Sequence, residues 1–274
     1  MIARPIVFLS DYGLEDEFVG ICHAVMVRVS PESRIVDLSH AVPPQDVLRG
    51  ALTLHRAIHF LPIEAVVVAV VDPGVGTPRR PIAVETVQGS RILVGPDNGV
   101  LSLAWAEVGG VAKAVEISSS AVILEPVSRT FHGRDIFSPA AAHLARGTAL
   151  EELGPSLDPR SLAALPLPKA SVEPGEIDAE VLAIDRFGNA QVSARPEDLA
   201  AGGMGVLPDV ELQAGEWSTK VRRVQTFGEV VEGEFGLIVD STGWLTVVIN
   251  RGSAAEALGL KVGDPVTIRR AALR

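Results

Sequence analysis

Cysteine, tyrosine and long apolar runs are the scarcest features of this 274-residue chain, and each scarcity excludes something. With a single cysteine, Cys22, no intrachain disulfide can form. Its surroundings, Gly20 to Met26, have the look of a buried helix face, so the thiol reads as an inert core group. The longest apolar run, Ala65 to Val71, falls far short of the roughly 20 residues that span a bilayer, which excludes a membrane partner. The N-terminal Met-Ile-Ala-Arg-Pro lacks the architecture of a signal peptide, so the expected compartment is the cytoplasm. Excess positive charge is missing too. A formal net charge of -10 argues against a broad nucleic-acid surface, which needs clustered Lys and Arg. There is no internal repeat and no low-complexity tract.

What is present divides into two patterns. From Pro5 to about Gly147, short apolar runs alternate with helical patterns. Strands are expected at Ile6–Leu9, Arg34–Leu38, Ala65–Val71, Arg80–Glu85 and Arg91–Val94. Helices are expected from about Glu15 to Val29 and from Pro44 to Phe60, with a further one opened by Asp97-Asn98-Gly99. The continuous Val/Ala run suits a strand covered on both faces. This pattern predicts an α/β fold with a mostly parallel sheet. After a Pro-, Ser- and Leu-rich stretch, apolar runs recur between Gly-rich turns at Ile177–Ile184, Val206–Leu212, Phe235–Asp240, Trp244–Asn250 and Val262–Arg269. They predict a smaller all-β domain, a compact barrel. The expected organisation is an α/β domain over 1–160, a linker over 161–175 and a barrel over 176–274.

In open α/β sheets, ligands gather outside the carboxyl ends of the strands. Three expected strands end there in Asp11/Gly13, Asp72/Gly74 and Asp97/Gly99. Each pair alone is ordinary turn chemistry, but three at one rim point to a cleft. His132 adds a titratable group in a Gly-flanked, charged entry to the helical run Phe137–Ala145. In the second half, Asp185-Arg186-Phe187-Gly188-Asn189 interrupts a strand pattern, as a bulge or a close approach to a ligand would. Phe187 offers a stacking face and Asn189 a paired donor and acceptor, although a plain hairpin turn fits equally well. Asn250-Arg251-Gly252 is similarly ambiguous.

The segments FLSDYGLEDEFVG, VVDPGVGTPRRPIAVE, GPDNGVLS, TFHGRDIFSPAAAHLA, DRFGN and INRGSA, taken in order, resemble the S-adenosylmethionine hydroxide adenosyltransferase family, relatives of the fluorinase and chlorinase. The resemblance spans nearly the whole chain. It implies an N-terminal α/β domain and a C-terminal barrel, assembled as a homotrimer with sites between subunits. It implies hydrolysis of S-adenosyl-L-methionine to adenosine and L-methionine, with no cofactor and no metal. Asp72, Arg79 and His132 stand where the family handles the attacking water. Asp11 is implied on the ribose hydroxyls, Phe187 and Asn189 on the adenosine portion, Asp185 at the methionine ammonium and Asn250 near the adenine. The halogenases are similar but carry a Tyr in place of Asp72, so Asp72 points to water rather than halide. Gln45 stands where they carry a tryptophan by the ribose.

The chemistry fits these residue types. A sulfonium leaves as a neutral thioether and needs no general acid. The demand is to place a weakly nucleophilic water in line with C5′ and to remove its proton. Holding reactants in attack geometry supplies roughly 7–11 kcal/mol at best, and a nearby carboxylate or neutral imidazole can take the proton. Sequence alone leaves open whether Asp72 or His132 is the base. Three other readings compete. Ser10-Asp11-Tyr12-Gly13-Leu14-Glu15-Asp16 is similar to the opening of calcium-dependent nucleoside hydrolases, but Ser10 removes one carboxylate ligand. The acidic cluster at Glu15, Asp16 and Glu17 reads instead as a helix start favoured by the macrodipole. Gly252 to Asp264 resembles a piece of a PDZ domain, or simply a helix, turn and strand closing a barrel. A nucleoside-binding protein without turnover is the third.

Overall fold

A computed structural model describes residues 3–89 and 91–271. Met1 and Ile2 of the N-terminal segment, and residues 272–274 at the end of the barrel domain, lie outside them. The chain divides into two compact units, Met1–Pro166 and Leu167–Arg274.

In the first unit the elements are β1 (Ile6–Ser10), α1 (Phe18–Val29), β2 (Ile35–Ser39), α2 (Val47–Ala57), β3 (Val66–Val70), β4 (Pro81–Thr86), β5 (Ile92–Pro96), α3 (Ser102–Glu107), β6 (Val111–Glu116) and α4 (Ser138–Ala145). The six strands form one sheet in the order β2-β1-β3-β5-β4-β6. Neighbours β2, β1, β3 and β5 run parallel, while β4 pairs antiparallel with β5 and β6. The expected mostly parallel sheet is present. Strands β1, β3 and β5 are buried along their whole length.

The alternation of side chains along each strand decides the layering. Ile6, Phe8, Val66, Val68 and Val94 face a core built with Val19, Cys22 and Met26 of α1 and Ala140, Ala141 and Leu144 of α4. Val7, Leu9, Val67, Ala69 and Leu93 face the opposite core, with Leu54 of α2 and Ala104 of α3. Helices therefore cover both faces, which is why the central strands read as continuous apolar runs. The Cys22 thiol is buried here, and burial pushes its pKa up to about 11, in keeping with an inert core group.

Some boundaries differ from the sequence reading. Helix α1 starts at Phe18, with Glu17 as a cap residue whose side chain makes no capping bond, so Glu15 and Asp16 precede the helix. Helix α2 starts one residue after Asp46, whose carboxylate accepts from Arg49 N at 2.9 Å. Asp97-Asn98-Gly99 forms a turn rather than the first turn of α3, which begins at Ser102. Strand β6 escaped the sequence pattern because Val-Ala-Lys-Ala-Val-Glu looks neither strictly alternating nor continuously apolar.

The second unit comprises β7 (Ser171–Glu173), β8 (Glu176–Ile184), β9 (Ala190–Val192), α5 (Pro196–Ala201), β10 (Asp209–Ala214), β11 (Trp217–Arg223), β12 (Phe235–Val239), β13 (Leu245–Ile249), α6 (Ala254–Leu258) and β14 (Pro265–Arg270). Sheet order is β14-β10-β11-β12-β13-β9-β8-β7, and β14 also pairs with β8. That second pairing closes seven strands into a barrel and leaves β7 attached outside. Alternate residues such as Ile177, Ala179, Val181, Val210, Leu212, Val266 and Ile268 fill the interior. The Gly252–Asp264 tail supplies α6 and the turn into β14, the ordinary closing role rather than a peptide-binding module. Strand β7 lies inside the stretch read as linker; three residues are too few to show a period. Strand β11 was missed because its face to solvent carries Ser, Lys and Arg, with Val221 its one buried residue.

Candidate active site

Because β1 and β3 are parallel neighbours, the loops after them leave the sheet at the same rim, and Asp11 and Asp72 meet there. They line a cleft of about 320 Å³ together with Tyr12, Phe18, Gln45, Val75, His132 and Gly133. At its wall, Arg79 grips Asp72 with two guanidinium nitrogens: Nε donates to Oδ1 at 2.9 Å, and Nη2 donates to Oδ2. Nη2 also lies 2.8 Å from His132 Nδ1. The pair is nearly closed off from solvent, with side chains 10% and 6% exposed for Arg79 and Asp72. The guanidinium further sits 5.2 Å from the Phe137 ring centre. Such a two-pronged grip fixes the carboxylate in orientation as well as charge. Arg79 is thus no solvated surface arginine.

The contact to His132 settles its tautomer. A guanidinium has donors only, so Nδ1 must accept, and the neutral ring carries its proton on Nε2. Burial, and then the adjacent Arg79 charge, lower the His132 pKa from its ordinary value, which keeps the ring neutral at pH 7. Taking up a proton at Nδ1 would cost the Arg79 bond. Each Asp72 oxygen keeps a lone pair beyond its Arg79 bond.

Asp11 is anchored by Gln45 N, which donates to Oδ2 at 2.8 Å. Its pKa is raised by burial, against the lowering effect of that backbone bond. Gln45 has φ 66°, a left-handed conformation unusual for a residue with a side chain. Gly133 sits where a Cβ would come within 2.1 Å of the Tyr12 hydroxyl, so only glycine permits this approach. The chain at residues 133–137 forms a π-helical turn leading into α4, a distortion often found at functional sites. Phe131 meets Tyr12 and Phe18 edge to face, and Tyr12 and Phe18 are tilted against each other, with centres 5.2–5.9 Å apart.

The third rim aspartate does something else. Asp97 is taken up by Arg80, by Nε at 2.9 Å and by Nη2 at 2.5 Å, and accepts from Ala163 N at 2.8 Å. It pins the chain after α4 and does not line the cleft. The expectation of three rim carboxylates in one site is corrected to two.

In the barrel unit, Asp185, Phe187, Asn189 and Asn250 line one groove of about 710 Å³, together with Phe227, Ile249, Arg251 and Gly252. Asp185 organises the loop: Oδ1 accepts from Phe187 N at 2.8 Å and Asn189 N at 3.0 Å, while Oδ2 accepts from Asn189 Nδ2 at 2.8 Å. A carboxylate has about four acceptor positions, so one remains for a ligand cation. Phe187 is 70% exposed. Gly188 at φ 80° packs against Ser253, where a Cβ would meet Oγ at 2.0 Å. Asn250 donates from Nδ2 to Val230 O at 2.7 Å, which fixes its side-chain amide. Arg251, at φ 62°, is the other described non-glycine residue with positive φ. Each of the two strained residues thus lines one of the two pockets.

Sequence reading missed Tyr12, Phe18, Gly133 as a contact point, Phe227 and Ile249. Tyr12 carries a faint signal, being the single tyrosine and following Asp11 directly. Phe227 carries none, since it opens a single 3-10 turn, Phe227–Glu229, too short to show a period.

A clamped carboxylate at the strand rim of an α/β unit, and an aromatic-lined groove in a small barrel unit, define a two-domain protein of the α/β-plus-barrel class. The chain belongs to the SAM hydroxide adenosyltransferase family: the model of the family's N-terminal domain matches residues 6–154 and that of its C-terminal domain residues 179–267. A Salinispora tropica protein named (R)-S-adenosyl-L-methionine hydrolase is 47% identical over 95% of this chain and 96% of its own. A Thermus thermophilus protein of the same name is 44% identical over 97% and 99%. The fluorinase of Actinopolyspora mzabensis is more distant, at 29% over 98% of each. Among solved structures, an uncharacterized conserved protein of Thermotoga maritima has a TM-score of 0.91 at 36% identity, covering 97% of this chain and all of its own.

Proposed function

We propose that the chain hydrolyses S-adenosyl-L-methionine to adenosine and L-methionine by in-line attack of water at C5′. The observation that carries this reading is Asp72, clamped by Arg79 in the cleft, with His132 held neutral beside it. A carboxylate there repels a halide but orients a water and accepts its proton. As the C5′–O bond forms, the C5′–S bond breaks and its electron pair stays on sulfur, which departs as the neutral thioether of methionine. The water proton passes through Asp72 to solvent. Arg79 holds the carboxylate in place, and His132 in turn holds Arg79 through its Nδ1 acceptor.

We assign Asp11 to the ribose hydroxyls, Phe187 and Asn189 to the adenosine portion, Asp185 to the methionine ammonium and Asn250 to the adenine. Each lines one of the two pockets. The relatives at 43–47% identity carry the (R) sulfonium epimer in their names, and we expect the same preference here. The reaction needs no cofactor, because the sulfonium is already activated for departure. We further propose a homotrimer with sites between subunits, no nucleic-acid partner and a cytoplasmic setting. Supporting the last two are a single buried thiol, the charge of -10, and the absence, among the described residues, of a helix long and apolar enough to cross a membrane. Active monomer at assay dilution would refute the trimer.

The test is mass spectrometry of the products in ¹⁸O-water, with halide-free and chloride buffers compared and each sulfonium epimer supplied. Adenosine labelled at its 5′-oxygen, with methionine formed alongside, is expected. A 5′-chloro product would move the chain to the halogenases, and tight adenosine binding without product would leave a nucleoside-binding protein.

A further inference from the structure

One cluster of metal-ligating side chains lies outside the cleft and takes no part in the proposed reaction. His23 projects from α1, Asp37 from β2 and His40 from the turn that follows β2. One ligand atom from each lies within 4.8 Å of the other two. His23 Nε2 is 2.8 Å and His40 Nε2 3.0 Å from the same carboxylate oxygen, Asp37 Oδ1. None of the three lines the cleft.

The surroundings of His40 make this more than a surface cluster. Its ring is buried, and its Nε2 makes no well-formed hydrogen bond, with the Asp37 carboxylate 3.0 Å away as its charged neighbour. A buried imidazole nitrogen without a well-formed hydrogen bond is costly. The ring's other nitrogen, Nδ1, lies 2.7 Å from the hydroxyl of fully buried Ser10. When Nδ1–H donates to Ser10 Oγ, the Nε2 lone pair is bare and aimed at the cluster. A partner on the far nitrogen that fixes tautomer and ring orientation is the usual support of a metal-bound histidine. The Phe8 ring backs His40 edge-on at 4.7 Å, giving the site an apolar rear wall. On the open side, His23 and Asp37 are 31% and 44% exposed, so an ion can enter and keep water ligands.

From this geometry we infer that His23, Asp37 and His40 form a binding site for a divalent transition-metal ion of the zinc type. Two imidazoles and one carboxylate suit such an ion and not calcium or magnesium, which prefer oxygen alone. Metal–ligand bonds of about 2.0–2.2 Å in tetrahedral arrangement place ligand atoms roughly 3.3 Å apart. The present 2.8 and 3.0 Å separations need to open by only a few tenths of an ångström. The ion would tie α1 to the end of β2 at one edge of the sheet. Solvent would complete its coordination.

The experiment is titration of the chelator-stripped, dialysed full-length protein with ZnCl₂ by calorimetry, and with Co²⁺ followed by its visible absorption. One ion per chain is expected, with cobalt bands of a nitrogen- and oxygen-ligated site and a rise in melting temperature on adding zinc. His23→Ala, on an accessible helix face, should weaken zinc binding at least tenfold and remove the melting shift while the apo protein melts as the parent does. Ser10→Ala should weaken binding about tenfold, the smaller loss typical of a supporting residue. Failure to bind one ion per chain, or an affinity that His23→Ala leaves unchanged, would overturn the site.

Discussion

Replacing Asp72 by Asn tests the proposed chemistry with almost no change in shape. The amide keeps one acceptor oxygen for Arg79 but turns an N–H₂ toward the other guanidinium contact, where both groups donate. Two consequences can be sized. General-base assistance contributes typically 10²–10⁴-fold, so kcat should fall by that factor, about 2.7–5.5 kcal/mol in the barrier. The Arg79 side chain, 10% exposed, loses its counter-charge. Breaking a buried pair costs about 3–5 kcal/mol, and the surviving His132 and Phe137 contacts place this case at the low end. With about 2–4 °C per kcal/mol for a domain of this size, the melting temperature should drop by about 6–12 °C. The variant should therefore remain folded at 25 °C. Adenosine release from saturating S-adenosyl-L-methionine, followed by liquid chromatography, reads the rate, and calorimetry reads adenosine affinity, expected to stay within about threefold. A kcat within tenfold of the parent would remove Asp72 from the role of base. A rise in KM alone would make it a binding residue.

Three further outcomes are expected. His132 has a folded pKa below its ordinary value, so the unfolded chain takes the proton first as pH falls. Its stabilising contribution is complete above about 6.5 and is lost as pH drops from there through the lower folded value; urea midpoints from about pH 8 down to pH 5 should show this, with a flatter profile in His132→Gln. Gly133→Ala should destabilise by about 1–3 kcal/mol through its clash with the Tyr12 hydroxyl, and adding Tyr12→Phe should recover much of that in thermal melts. Phe187→Ala removes an exposed stacking face and should raise KM by about 10–100-fold with a smaller effect on kcat, the loss of about 1–3 kcal/mol typical of base stacking; an unchanged KM would take the adenosine portion out of the barrel groove.

By itself the sequence determined the features whose causes are local. Apolar runs ended by Asp and Gly read as buried strands with turns at their carboxyl ends, because side-chain period and turn chemistry act over a few residues. Parallel pairing of β1 with β3 then places Asp11 and Asp72 at one rim. The Asp185 loop was also legible, since Asp, Phe, Gly and Asn within five residues fold upon themselves. Tertiary structure decided the rest. Asp97 has the same local grammar as Asp11 and Asp72, yet Arg80 and the chain at Ala163 claim it, and no sequence window spans those contacts. The tautomer of His132 depends on a guanidinium 53 residues away in the chain. Closure of the barrel by β14 on β8, and the burial that leaves His40 Nε2 without a well-formed hydrogen bond, are likewise set by packing between distant segments. Local periodicity fixes which residues can face a site; only the folded chain fixes which donors and acceptors remain free there.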